Sequence, residues 1–409
     1  MKKIELLAPA GDWSCLKTAV ENGADAVYFG IKNMNMRDNA GNFEINELPV
    51  VMRYLHENNK KGYLTLNTIY YNKELEKLEK VILAAKTAGV DAIICWDMAV
   101  LNIAKKAGIP IHISTQASVS NYQAFKFYSD LGADRIILAR ECSLSDISEI
   151  SRQAEYEGLN CEIETFTHGA MCVSMSGRCF LSADTFGKSA NRGQCLQPCR
   201  RLYRITDVEE EDNSYILGHN FVLSPKDLCS IEILPELIEA GISSFKIEGR
   251  IRPPEYVKTT VSCYRKVLNA IESGEYSSRL VGELKRELGK AYNRGFSQGF
   301  YKGLEKDWIS RGPDARESKI YCGEVVTYYK KIQVAEFLIR AGSLKIGDKI
   351  LVYGKTTPAR NTVINEIQIN HQSVESAGKG ERCGIKIPFI VRPKDKLFRI
   401  KDNEKQKKN

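Results

Sequence analysis

Along the first 250 residues, short apolar runs alternate with stretches whose apolar positions recur every three or four residues. The runs at 4–10, 26–30, 62–67, 92–97, 111–116, 135–141, 161–168 and 244–250 read as β-strands. Several are continuously apolar and β-branched, as strands are when both faces of a parallel sheet are covered. The stretches at 12–23, 73–88 and 122–132 read as amphipathic helices. One phrase recurs: Gly23-Ala24-Asp25-Ala26, Gly89-Val90-Asp91-Ala92, Gly132-Ala133-Asp134-Arg135 and Gly241-Ile242-Ser243. Each is a glycine that stops a helix, followed at once by the next strand. Eight strands at this spacing, with no glycine-rich dinucleotide turn after the first, predict an α/β fold of the (β/α)8 TIM-like barrel type. A further apolar run at 221–228 leaves the strand count at eight or nine. Helical patterns continue from Pro254 to about Ala270 and over 280–293. Beyond Pro313 the chain reads as short strands with glycine turns, at 347–352, 361–369, 384–388 and 396–400, which predicts a small β-barrel. The expected organisation is a TIM-like barrel over 1–312 carrying a cysteine-rich insertion at 161–229, a β-barrel over 313–400, and a disordered polar tail at 401–409.

Composition narrows the function classes. The chain has 409 residues, 43% of them hydrophobic, enough for a substantial core. No apolar run reaches the ~18–20 residues of a membrane span, and the N-terminus carries no apolar signal segment, so a cytoplasmic protein with no membrane partner is expected. Lys and Arg number 59 against 51 Asp and Glu, a formal charge of 59 − 51 = +8. That excess admits an anionic partner such as RNA without requiring one. No phosphate-binding Gly-x4-Gly-Lys motif occurs, so nucleotide hydrolysis is not expected.

The twelve cysteines say more. In a reducing compartment stable disulfides are not expected, and six of the twelve crowd into Cys161–Cys229. Cys172, Cys179, Cys195, Cys199 and Cys229 stand among Gly, Ser and Pro, which places them on loops near the barrel mouth. Buried thiols, a zinc site and an iron–sulfur cluster are all available readings. Cys-x6-Cys and Cys-x3-Cys spacing with one nearby histidine suits zinc less well than thiolate ligation of iron.

The segment Glu164-Thr-Phe-Thr-His168-Gly-Ala-Met-Cys172-Val-Ser-Met-Ser-Gly-Arg178-Cys179-Phe-Leu-Ser182 resembles the signature of the collagenase-like peptidase family U32. So do Leu6-Leu7-Ala8-Pro9-Ala10-Gly11, Asn191-Arg192-Gly193-x-Cys195, Lys226-Asp227-Leu228 and Phe245-Lys246-Ile247-Glu248-Gly249-Arg250. The resemblance runs from about Ile4 to Gly303. Despite its name the family includes RNA hydroxylation proteins and oxygen-independent ubiquinone hydroxylation proteins whose members carry a [4Fe–4S] cluster. The resemblance implies Cys172, Cys179, Cys195 and Cys229 as the ligands, with Cys199 a fifth candidate. The C-terminal segments 378–385 and 391–398 resemble the second-domain barrel of elongation factor Tu. Length and layout are most similar to the tRNA branch, which hydroxylates the wobble uridine with prephenate as the donor.

Three readings follow. The first is an iron–sulfur-dependent RNA hydroxylase with tRNA as substrate, a small dicarboxylate such as prephenate as donor, and a paralogous partner chain as a further possibility. Anionic carboxylates need charge-assisted donors, and Arg37, Arg140, Arg178, Lys226, Lys246 and Arg250, with Glu248, are the candidates for substrate binding. Glu164 and His168 lie two register positions apart on one strand, on the same side if it stays extended, and are the candidate acid–base pair. The second reading is a peptidase, for which the chain offers no Gly-x-Ser-x-Gly elbow and no His-Glu-x-x-His helix. The third is a non-enzymatic RNA-binding or assembly protein in which the cluster is structural.

Overall fold

The computed structural model describes residues 3–403 apart from 202, 207–208, 210–213, 217–222 and 304–312. The expected tail at 401–409 lies outside the described residues from 404 onward, and so does most of the expected domain boundary near 312. Seven parallel strands lead the chain: β1 (Glu5–Pro9), β2 (Ala26–Gly30), β3 (Lys61–Thr65), β4 (Ala92–Cys95), β5 (Ile111–Ile113), β6 (Arg135–Ile137) and β7 (Glu162–Ala170). A short hairpin, β8 (Arg204–Thr206) and β9 (Ser214–Ile216), and the strand β10 (Asp227–Cys229) precede β11 (Ser244–Ile247). β11 pairs in parallel with both β1 and β7, so eight parallel strands close into a barrel. The ninth candidate, in its described part, is no stave. β10 runs antiparallel to the far end of β7, Cys229 opposite His168 and Asp227 opposite Ala170.

Helices alternate with the strands: α1 (Trp13–Glu21), α2 (Leu48–Glu57), α3 (Leu75–Thr87), α4 (Met98–Ala107), α5 (Tyr122–Asp130) and α6 (Leu144–Tyr156). They are followed by α7 (Leu181–Phe186) in the cysteine-rich excursion, then α8 (Leu234–Glu239), α9 (Pro254–Glu272) and α10 (Ser278–Leu288). Their starts are fixed by side chains that satisfy free backbone N–H groups: Asp12, Asp97, Asn121 and Ser143 cap α1, α4, α5 and α6. The recurring glycines end four helices with φ of 97°, 76°, 96° and 102° at Gly23, Gly89, Gly132 and Gly241, as the sequence pattern predicts. The barrel core is one continuous apolar cluster from Ile4 to Tyr301.

One irregularity matters for the site. Between β7 and β11, Phe166 faces Lys246 while His168 faces Ile247, so Thr167 is an extra residue, a β-bulge. A bulge reverses the side on which every following residue projects.

The C-terminal residues form an eight-stranded antiparallel sheet around a second apolar core, with a two-stranded ribbon of Ser343–Lys345 and Ser376–Gly378 beside it. Its outer strands, Arg360–Val363 and Gln372–Val374, do not pair with each other, so the sheet is a curled half-barrel and not the closed barrel expected. Both edges carry half-buried to exposed residues, with little apolar surface to seal against one another. The half-barrel is tied to α1: Ser14 Oγ donates to Thr357 O, Ala359 N–H donates to Thr18 Oγ1, and Arg360 pairs with Glu21.

Candidate active site

In a barrel of parallel strands the loops after the C-terminal strand ends form the mouth. Here a cavity of about 170 Å³ opens there, lined by Tyr28, Thr65, Asn67, Gln116, Phe166, Lys246, Glu248 and Arg250 from the strand ends. The excursion between β7 and β10 supplies the other wall, with Cys172, Cys179, Cys195 and Cys199 all on it. All four are free and half-buried. Three of the sulfurs accept a backbone N–H from two residues on: Ser174 to Cys172, Leu181 to Cys179 and Gln197 to Cys195, each at 3.4 Å. Loop backbone donating to sulfur is the arrangement that favours a thiolate and tunes cluster ligands. The loops interlock, with Asn191 Oδ1 accepting from Cys179 N–H and Ser182 Oγ accepting from Leu196 N–H. Gly193 allows the closest approach. Its φ is +83°, its carbonyl accepts from Asp38 N–H, and a Cβ there would stand 2.2 Å from Asn35 O.

Cys229, expected as a ligand, is elsewhere. It is buried under α9, where Tyr264 Oη approaches its sulfur at 3.8 Å, and burial pushes its thiol up to about 11. It does not line the cavity, and Cys199 does. Burial also raises the Cys199 thiol, with the Arg200 guanidinium opposing the shift. Among the described residues no three His, Cys, Asp or Glu side chains converge on a single-ion site. Four thiols on one cavity wall are a soft donor set of the chemical kind that iron takes.

The cationic wall has seven members, Arg37, Arg140, Arg200, Lys246, Arg250, Arg252 and Arg294, against one lining carboxylate, Glu248. Glu248 pairs with Arg37 at 3.2 Å and lies 3.9 Å from Arg140. Burial pushes its carboxyl up, but Arg37, Arg140 and Arg250 outweigh that and hold it below the usual range. Lys246 pairs with Glu164 at 3.0 Å and sits over the Tyr28 ring. Arg252 and Arg294 share Asp227. Arg250 is different. It is buried and bonds only neutral acceptors, with Nη1 donating to Thr65 Oγ1 and Nη2 to Asn35 Oδ1 and Asn42 Oδ1. Its Nε has no partner in the described structure, and burial brings its pKa down to about 10. Arg200 likewise bonds only Ser224 Oγ, Pro225 O and Met171 O. Two guanidinium groups without a carboxylate partner among the described residues, Arg250 buried and Arg200 half-buried, stand beside four thiols and form a cavity that calls for anionic contents.

The structure separates the expected acid–base pair. Glu164 lies inside the barrel below the cavity, 3.0 Å from both Arg135 Nη1 and Lys246 Nζ. Arg135 also holds Glu5 and Glu162, so the carboxylate belongs to an ionic network that fills the barrel. His168, past the bulge, projects to the other side of the wall, with its ring against Tyr256, Tyr264 and Phe296. Burial, with a smaller contribution from Arg252, lowers its pKa to about 3. Neither residue lines the cavity. Of the expected binding residues, Arg37, Arg140, Lys246, Glu248 and Arg250 do. Arg178 lies outside, donating to Ser118 Oγ and approaching the Trp96 ring, and Lys226 packs beside Gly295. Arg252 and Arg294, which no sequence motif singled out, complete the wall.

Among the described residues no helix is long and apolar enough to cross a membrane. An uncharacterized protease of Methanocaldococcus jannaschii is 44% identical, covering 98% of this chain and 99% of its own. A collagenase of Porphyromonas gingivalis is 38% identical over 98% of both. The tRNA hydroxylation protein P1 of Bacillus subtilis is 36% identical, covering 86% of this chain and 84% of its own. The model for peptidase family U32 matches residues 11–309, which take in the barrel strands β2 to β7 and β11 and the cysteine-rich excursion, and the chain belongs to that family.

Proposed function

We propose that this protein is an iron–sulfur-dependent RNA hydroxylase working at the cysteine-lined mouth of its barrel. The finer reading is 5-hydroxylation of a tRNA wobble uridine with a small dicarboxylate such as prephenate as donor. The observation that carries it is the cavity lined by four thiols and by seven buried or half-buried cations against one carboxylate. A [4Fe–4S] cluster on Cys172, Cys179, Cys195 and Cys199 would supply Lewis-acidic iron or electron transfer there. The chain's own groups do the rest. Arg250, unpaired at Nε, and the Arg37–Glu248–Arg140 group would hold the donor's carboxylates through charge-assisted bonds. Asn67 and Gln116 offer neutral partners for a base edge, and the Phe166 ring under Arg140 closes the floor.

The similarity to a tRNA hydroxylation protein supports this reading, whereas the similarity to a collagenase favours proteolysis. The geometry weighs against the latter. The one histidine near Cys172 in sequence, His168, faces away behind the barrel wall, and among the described residues no histidine lines the cavity to serve a thiol as an imidazole base. The test is iron, zinc and acid-labile sulfide per chain on anaerobically purified protein, together with mass spectrometry of tRNA nucleosides from a deletion strain. About four irons and four sulfides, with a hydroxylated uridine that disappears on deletion and returns with the gene, are expected. Stoichiometric zinc without sulfide and an unchanged nucleoside profile would overturn the proposal.

A further inference from the structure

The same loops that carry the four thiols show a second face to solvent. Phe180, next to Cys179, is 77% exposed; Met175 is 68% exposed, and Leu196, next to Cys195, is 45% exposed. Large apolar side chains left in water on adjoining loops mark an interaction surface. The bonds from Cys179 N–H to Asn191 Oδ1 and from Leu196 N–H to Ser182 Oγ hold the loops of Phe180 and Leu196 together, and Met175 precedes Ser176 and Gly177 on the same cavity wall, so the three side chains belong to one rim. The rim is also basic. Residues 173–201 contain five Arg or Lys and a single acid, Asp184. Arg192 is neutralised by Glu74, and Arg200 turns inward to Ser224 and Met171. Arg178, Lys188 and Arg201 are exposed and form no ion pair among the described residues. Arg178 and Arg201 instead lie over the rings of Trp96 and Phe186, at 5.8 and 4.4 Å.

Exposed rings and long apolar side chains interleaved with unpaired guanidinium groups are what unpaired nucleic acid strands bind: bases stack on the apolar faces while the cations follow the phosphates. A duplex, whose bases are already stacked, has no use for the ring. A purely protein partner would not need three unpaired cations. We propose that the rim formed by Met175, Arg178, Phe180, Lys188, Leu196 and Arg201 is a docking platform for a single-stranded RNA loop, with Phe180 stacking a base beside the one admitted to the cavity. This rests on the RNA-modifying reading above and names how that substrate is held.

The test uses anaerobically purified full-length protein and a fluorescein-labelled RNA stem–loop, with binding read by anisotropy and cluster absorbance checked in every variant. Loss of one base-stacking contact weakens binding by about 5- to 140-fold, which is expected for Phe180→Ala. Phe180→Trp retains binding, and Phe180→Leu, which keeps the apolar bulk but not the ring, is as weak as the alanine variant. Arg178→Ala, Lys188→Ala and Arg201→Ala each lower the slope of log affinity against log salt by about 0.7. Unchanged binding in Phe180→Ala, or full rescue by leucine, overturns the platform. So does a wild-type dimer that Phe180→Ala converts to a monomer in the absence of RNA. If RNA from cells is hydroxylated while Phe180→Ala binds normally, the platform alone fails. If wild-type protein neither binds the stem–loop nor changes any RNA nucleoside, the functional reading fails with it.

Discussion

Replacing Glu164 with glutamine separates a structural carboxylate from a chemical one. The side chain is wholly buried and accepts charged bonds from Arg135 and Lys246 and a third from Ser244 Oγ at 3.2 Å. Arg135 keeps Glu5 and Glu162 when Glu164 is neutralised. Lys246 has no other hydrogen-bonded carboxylate, and burial already lowers its pKa. An ammonium left in the barrel without its partner costs about 3–5 kcal/mol. At roughly 2 °C per kcal/mol for a large domain, the barrel should melt about 6–10 °C lower. Scanning calorimetry or thermal circular dichroism reads this directly. The double variant Glu164→Gln, Lys246→Met removes the orphaned charge and should recover most of the loss. If Glu164→Gln melts within about 1 °C of wild type but abolishes RNA hydroxylation, the network argument is wrong and Glu164 acts in the chemistry.

Other predictions follow the same geometry. Cys199→Ala should lose iron and sulfide while Cys229→Ala retains both, as measured by metal and sulfide analysis; the reverse result would restore the ligand set implied by family resemblance. Gly193→Ala should displace the Cys195 loop from Asn35 and lower cluster content, and the strained φ and backbone clash should lower the melting temperature of the cluster-free protein by about 2–4 °C as well. His168 has a folded pKa near 3 against about 6.5 unfolded, so between those values the unfolded chain binds the extra proton. Stability therefore rises with pH across that window and is lost on acidification. In urea titrations between pH 4 and 6 the slope should be shallower by about 1.4 kcal/mol per pH unit in His168→Gln. An unchanged slope would mean that His168 is protonated in the folded protein.

The barrel was legible because its signals are local. An apolar run, a helix-stopping glycine and a short connection recur at one spacing, and parallel pairing follows from that order. The crowding of thiols and the cations of Phe245–Arg250 were legible for similar reasons. What could not be read depends on contacts across the chain. A single inserted residue at Thr167 turns His168 away from Glu164, and nothing in the composition of β7 announces it. Cys229 looks like a loop cysteine because Ser224 and Pro225 precede it, yet pairing of β10 with β7 carries it under α9. Cys199, a fifth candidate beside the four that the resemblance implies, reaches the cavity on a short turn that packs against α7. Arg252 and Arg294 enter the site through Asp227, a partner 25 and 67 residues away in sequence.

Closure of the barrel has a consequence for how the protein is made. β1 finds its second neighbour only in β11, and the contact between Ser244 and Glu5 joins residues 239 positions apart. At about 5–20 residues per second, a ribosome takes roughly 12–48 s to supply that neighbour. During that interval the first strand of a nascent half-barrel presents an open hydrogen-bonding edge. The charges of Glu5, Arg135 and Glu164 stand beside it, waiting for Lys246 to complete their set. Buried carboxylates near an unfinished edge discourage the wrong strand from adding there, so the ionic filling of the barrel also protects the chain during synthesis.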